Sequence, residues 1–211
     1  MNGSLVNQLI EQKYLKTPRI IRAFKKIKRA DFVPLELREK EGDNFIAEYN
    51  APLLIGYGQT ISQPLTVAFM LELLEPKKGD KILDIGSGSG WQTTMLCEIV
   101  GEKGFVFAIE RIGELKNFGE ENVRKYGFKN VEFIARDGSL GLAQEAPFNR
   151  IIAAAAAEKV PEIWKEQLKI NGRLVTPING SIWLFVKKDK NQFEEKEYPG
   201  FSFVPLITKN E

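Results

Sequence analysis

The chain has no histidine in 211 residues, and that absence excludes more chemistry than any motif in it. Histidine-based triads, histidine-ligated zinc and an imidazole general base all drop out. Carboxylates, hydroxyls, amides and a bound cofactor remain, and no metal site is expected. Cysteine is nearly missing too. The single Cys97 excludes an intramolecular disulfide, and its place in a helical run marks it as a small core residue. No apolar run approaches membrane-spanning length and the N-terminus has no signal-peptide core, so a soluble, cytoplasmic protein is expected. Charge of one sign is not in excess. A net charge of +2 gives no broad footprint for nucleic acid, and the run Lys25–Arg29 reads as the wet face of an amphipathic helix.

What the chain does have is Lys81-Ile-Leu-Asp-Ile-Gly-Ser-Gly-Ser-Gly90. A short apolar strand carries Asp84 and runs into three alternate glycines, Gly86, Gly88 and Gly90, separated by Ser87 and Ser89. An amphipathic run, Trp91–Val100, follows. Strand, glycine turn and helix form a nucleotide-type crevice, because glycine lets backbone approach a ligand and the helix start offers free N–H groups. In the dinucleotide fingerprint the third glycine lies three residues after the second. That position holds Trp91 here, and the third glycine comes one residue early. The loop therefore suits a nucleoside with a compact, non-phosphate tail, such as S-adenosylmethionine, better than a pyrophosphate. Glu110 ends the next strand about twenty residues on, where an acid would accept from both ribose hydroxyls.

The length fits one compact unit with a substantial core. Residues 1–75 read as N-terminal helices and a substrate-side loop, and residues 76–211 as the cofactor-binding core. Residues 4–29 are predicted helical, with Leu5, Ile10, Ile20, Ile21, Phe24 and Ile27 inward, and with Thr17-Pro18 as a helix start. The segment 31–63 is long and irregular but carries apolar and aromatic residues, so order against the core is expected. A helix follows over 64–74. From Lys81 the pattern alternates: strands over 81–84, 105–110, 130–135, 150–155 and 173–177, with helices over 91–100, 113–126 and 161–168. This predicts an α/β fold, a doubly wound and mainly parallel sheet. The runs 181–188 and 201–206 have no helix between them and predict an antiparallel C-terminal hairpin, with the charged tract 187–196 as its solvated turn. No internal repeat or low-complexity segment is present.

Several segments resemble the protein-L-isoaspartate O-methyltransferase family. Ala47-Glu-Tyr-Asn-Ala-Pro-Leu-Leu-Ile-Gly-Tyr-Gly-Gln-Thr-Ile-Ser-Gln-Pro64 is similar to its signature, centred on Gly58-Gln-Thr-Ile-Ser62. Arg29-Ala-Asp-Phe-Val-Pro34 resembles an upstream motif, and Leu83–Gly90 the cofactor loop. Asp137-Gly138, Ala146-Pro-Phe148, the alanines around 154–156, Gln167-Leu168, Asn171–Leu174 and Phe203–Leu206 extend the likeness over about residues 20–206. The sequence departs from the pattern at Arg136, Asn149, Asn179 and Ala153.

The resemblance implies methyl transfer from S-adenosylmethionine to the free α-carboxylate of L-isoaspartyl residues in damaged proteins and peptides. The ester then collapses to a succinimide that reopens partly to normal aspartate. Ser62 is implied as the catalytic hydroxyl, with Thr60, Ile61, Ala154 and Ala155 beside it on the substrate side. Gln59, Thr60, Ile61, Asp84, Gly86–Gly90, Glu110, Asp137 and Gly138 are implied cofactor residues. A monomer without nucleic-acid or membrane partners is expected. The missing histidine suits this reaction, since a carboxylate with a pKa near 4 is already ionised and needs no base. From the residues alone, alternatives stay open. Ser62 also reads as an N-cap of the helix that follows, Asp84 as a support of the glycine turn and Asp137 as a turn residue. A methyltransferase for a small molecule or RNA, or a non-catalytic relative, would share the glycine loop, and a dehydrogenase is disfavoured by its spacing.

Overall fold

The computed structural model describes residues 4–207. Its centre is a seven-stranded sheet ordered β5-β4-β3-β6-β7-β8-β9. The strands are β3 (Lys81–Ile85), β4 (Phe105–Glu110), β5 (Val131–Ala135), β6 (Phe148–Ala153), β7 (Leu168–Ile178), β8 (Ser181–Asp189) and β9 (Gln192–Pro199). Strands β3 to β7 pair in parallel, and β7, β8 and β9 pair antiparallel. The chain enters this sheet at β3 in the middle, builds outward through β4 and β5, then returns to the other side of β3 as β6. This reversal opens a crevice beyond the C-terminal ends of β3, β4 and β6.

Both sheet faces are covered, so the inner strands are apolar on both sides, as a parallel sheet requires. Ile82, Val106, Ile152 and Val175 pack beneath the helices α5 (Pro64–Leu74) and α6 (Trp91–Val100), on which α2 (Pro18–Lys26) packs in turn. Leu83, Ile85, Phe107 and Ile151 face the other way, toward Leu142, Val160 and Trp164 of the short α8 (Glu162–Glu166). The same apolar cluster that holds α6 continues into the N-terminal helices through Leu9, Ile20, Phe24 and Ile46.

The structure corrects several expectations. Residues 4–29 form two helices, α1 (Leu5–Glu11) and α2, the second starting at Pro18 as expected, with residues 12–17 between them not helical. Thr17 precedes α2 in extended backbone, but its hydroxyl donates to Glu72 Oε2 (2.7 Å) and caps nothing. Segment 31–63 is not irregular. It holds α3 (Leu35–Glu41), α4 (Asp43–Glu48) and a hairpin of β1 (Leu53–Gly56) and β2 (Gln59–Ile61). Arg29 is buried, not part of a wet face. The charged tract 187–196 is mostly strand: β9 is an edge strand whose charges face water, a pattern with no apolar alternation to betray it. Residues 201–206 contribute only a bridge between Ala156 and Pro205. Helix α8 ends at Glu166, and Asn171-Gly172 lies inside β7, with Asn171 at φ 62°.

Candidate active site

The glycine loop takes its shape from three left-handed residues, Gly86, Gly88 and Gly90 (φ 75°, 50° and 82°), a region that side chains disfavour. Ile109 anchors it, its carbonyl accepting from the N–H groups of Gly86 (2.8 Å) and Ser87 (3.1 Å). The Glu110 carboxylate accepts from the Gly88 N–H (3.0 Å) and, through its other oxygen, from the Ile112 N–H (3.0 Å). Loop and acid are therefore one unit, although they belong to neighbouring strands.

A cavity of about 520 Å³ opens over this unit. Its walls include Gly86–Ser89, Glu110, Gly138, Ala154 and Ala155 on the sheet side, and Gln59, Thr60, Ile61 and Ser62 on the other. The hairpin carrying Gln59–Ile61 reaches the loop directly, since a β-carbon added at Gly88 would come within 3.4 Å of Ile55 Cδ1. The volume and mixed lining are of the kind that hold a nucleoside-sized ligand. The pocket fits S-adenosylmethionine chemically: a buried carboxylate for hydroxyls, tight backbone for a compact tail, and alanines as floor.

Three of the residues expected at the site do not line the cavity. Gly90 sits behind it, against α7 (Gly113–Arg124). Asp137 accepts from the N–H (2.9 Å) and hydroxyl (2.7 Å) of Ser139, shaping the turn that presents Gly138. Asp84 is fully buried and accepts from Gln92 Nε2 (2.9 Å) and Thr93 Oγ1 (2.6 Å) at the start of α6. Arg136 is not in the left-handed region, and its N–H donates to the Glu110 carbonyl (3.1 Å), so the turn accepts a residue other than glycine.

Burial pushes the Asp84 carboxyl up to about 6, opposed by the hydrogen bonds from Thr93 and Gln92 and assisted by the Glu110 charge. A folded-state pKa above the unfolded one means that the native protein keeps this proton longer. The contribution to stability is full below about pH 4 and is lost as pH rises to about 6. Thermal melts of wild type and Asp84→Asn should show the difference in stability falling by roughly 2–3 kcal/mol across that window, then staying flat. A difference independent of pH would mean that the carboxylate is solvated.

Ser62 lines the cavity, and its hydroxyl has no hydrogen-bond partner among the described residues. The N-cap of α5 is Gln63, one residue later, so the capping alternative for Ser62 does not hold. Gln63, Thr66 and Val67, around the first turn of α5, share the cavity wall with Ser62.

The model of the protein-L-isoaspartate(D-aspartate) O-methyltransferase family matches residues 1–211. The chain belongs to this family. Relatives of the same name include those of Methanopyrus kandleri, 39% identical over 96% of this chain and 89% of theirs, and Aeropyrum pernix, 41% identical over 96% and 78%. A Plasmodium falciparum member solved with S-adenosyl-L-homocysteine superposes with a TM-score of 0.83 at 23% identity, covering 96% of both chains. That likeness establishes the shared family fold. Within it, two residues that sequence reasoning missed stand out on α7, Gly119 and Asn122. Asn122 Nδ2 donates to the Ser89 carbonyl (3.0 Å), and Gly119 is packed on the loop backbone.

Proposed function

We infer that this protein transfers a methyl group from S-adenosylmethionine to the α-carboxylate of L-isoaspartyl residues in proteins and peptides. The observation that carries this reading is that Gln59–Ser62, the family's signature segment, faces the glycine loop and Glu110 across one cavity. S-adenosylmethionine supplies an electrophilic methyl group on a cationic sulfur. Glu110 and the backbone of Gly86–Ser89 hold the nucleoside, with Gly138 at its far edge, while Asp84 and Gly90 act from behind the loop and Asp137 shapes the turn that presents Gly138. Ser62 and the first turn of α5 receive the substrate carboxylate, a group favoured at a helix start. That carboxylate is ionised at neutral pH, so the site needs to orient it and exclude water rather than remove a proton. Ala154 and Ala155 leave room where the two reactants meet. As part of the same proposal, the protein works as a cytoplasmic monomer, without nucleic acid or membrane. Among the described residues no helix is long and apolar enough to cross a membrane.

The test is methyl transfer to a matched pair of peptides, one isoaspartyl and one normal aspartyl. The isoaspartyl peptide should be labelled and its partner left essentially inert. Equal labelling of both, or labelling of an RNA with neither peptide touched, would overturn the reading.

A further inference from the structure

Arg29 is the most deeply buried cation of the N-terminal layer, at 4% exposure, and no carboxylate within the described residues pairs with it. Its two terminal nitrogens are satisfied by backbone instead, while Nε is buried without a hydrogen-bond partner. Nη1 donates to the carbonyls of Ile46 (3.2 Å) and Tyr49 (2.7 Å), and Nη2 to those of Ala51 (2.7 Å) and Ser62 (3.2 Å). Its other face lies 5.6 Å from the centre of the Trp91 ring, on the first residue of α6. Desolvation lowers its pKa to about 10, so the group is still a cation at neutral pH. A buried charge without a counter-ion is costly, and four carbonyl dipoles are what offset that cost here.

The four carbonyls are not a random set. Ile46 lies in the last turn of α4 and Tyr49 is its C-cap, where helix carbonyls lack intrahelical partners. Ala51 opens the hairpin that carries Gln59–Ile61, and Ser62 closes it. One planar group thus grips both ends of the hairpin that forms the substrate wall, and rests on the helix that follows the cofactor loop. We propose that Arg29 is a positioning residue: its guanidinium sets the distance between the Ala51–Ser62 hairpin and the glycine loop, and so the aim of Ser62 at the substrate carboxylate. This rests on the isoaspartyl reading above. A lysine keeps the charge but is a point donor and cannot span carbonyls on two sides of a fork.

The experiment compares wild type with Arg29→Lys, varying an isoaspartyl peptide at saturating S-adenosylmethionine. The peptide KM should rise and kcat/KM should fall by roughly ten- to hundredfold, the effect of a wall displaced by about 1 Å. S-adenosylhomocysteine affinity, by calorimetry, should stay within about twofold. Hydrogen exchange should quicken within residues 46–63 and not in β3 or β4. A variant with an unchanged peptide KM, its kcat falling only with the folded fraction, would overturn the proposal. So would a variant that unfolds or loses S-adenosylhomocysteine, because Arg29 would then serve the whole fold. If wild type itself leaves the isoaspartyl peptide unmethylated, the functional reading has failed, and the exchange pattern still decides what Arg29 holds.

Discussion

Gly119→Ala should destabilise the protein and weaken S-adenosylhomocysteine binding at least about tenfold, while Gly113→Ala on the same helix should do neither. Intrinsic propensity predicts stabilisation at both positions, since alanine is favoured over glycine in a helix by up to about 1 kcal/mol. Packing decides. A β-carbon at Gly119 would lie 2.6 Å from the Gly88 carbonyl oxygen and 3.3 Å from the Gly90 nitrogen, whereas one at Gly113 would meet nothing within 4 Å. The nearest of these neighbours is loop backbone, and the next, Phe133 Cε1 at 3.1 Å, belongs to a buried ring rather than the free end of a flexible side chain, so the helix or the loop has to move. Overpacking of this kind costs roughly 1–3 kcal/mol. The contact is reciprocal: a β-carbon at Gly90 would lie 2.7 Å from the Gly119 carbonyl oxygen, and Gly90 also holds φ 82°. Gly90→Ala therefore adds a left-handed strain of about 1–3 kcal/mol to the same overlap. Melting temperatures and calorimetry on the three variants check this. A Gly119→Ala protein that melts higher than wild type and binds normally would show that α7 is free to slide on the loop.

The β3–loop–α6 unit and Glu110 were legible in the sequence because each carries a local signature. An apolar strand, alternate glycines and a strand-end acid need no partner from elsewhere to be read. Gly119 and Asn122 were not legible for the opposite reason. Their role exists only when α7 is laid beside the loop, and in sequence Gly119 is just a poor helix residue in an otherwise ordinary helix. Arg29 misled more directly. In a run with Lys25, Lys26 and Lys28 it has the composition of a solvated face, and only the four carbonyls around it explain its burial. The hairpin over 53–61 was hidden because its turn, Tyr57-Gly58, joins strands only three and four residues long. Ser62 was off by one residue: backbone dihedrals at Gln63, not the residue types, decide where the helix starts.

Ser62→Ala should lower the rate of methyl transfer about ten- to hundredfold, with the fold and the cofactor affinity nearly untouched. The magnitude is that of one hydrogen bond to a charged group, roughly 1.5–3 kcal/mol, applied to the step in which the carboxylate is held in line with the methyl donor. Histidine is absent from the whole chain, so nothing activates Ser62 as a covalent nucleophile, and orientation is the role left to its hydroxyl. Placement of the N-cap at Gln63 sharpens the test. A capping serine would lose about 1 kcal/mol of stability on truncation to alanine and only a few tenths on truncation to glycine. Ser62 caps nothing, so neither Ser62→Ala nor Ser62→Gly should lose that stability, and both should be equally slow. Cofactor affinity should stay because the contacts proposed for the nucleoside, Glu110 and the glycine loop, are other parts of the cavity wall. Rates on the isoaspartyl peptide, melting curves and S-adenosylhomocysteine binding for the two variants separate these outcomes. Full activity in Ser62→Gly would remove the hydroxyl from the mechanism and leave the start of α5 alone to receive the carboxylate.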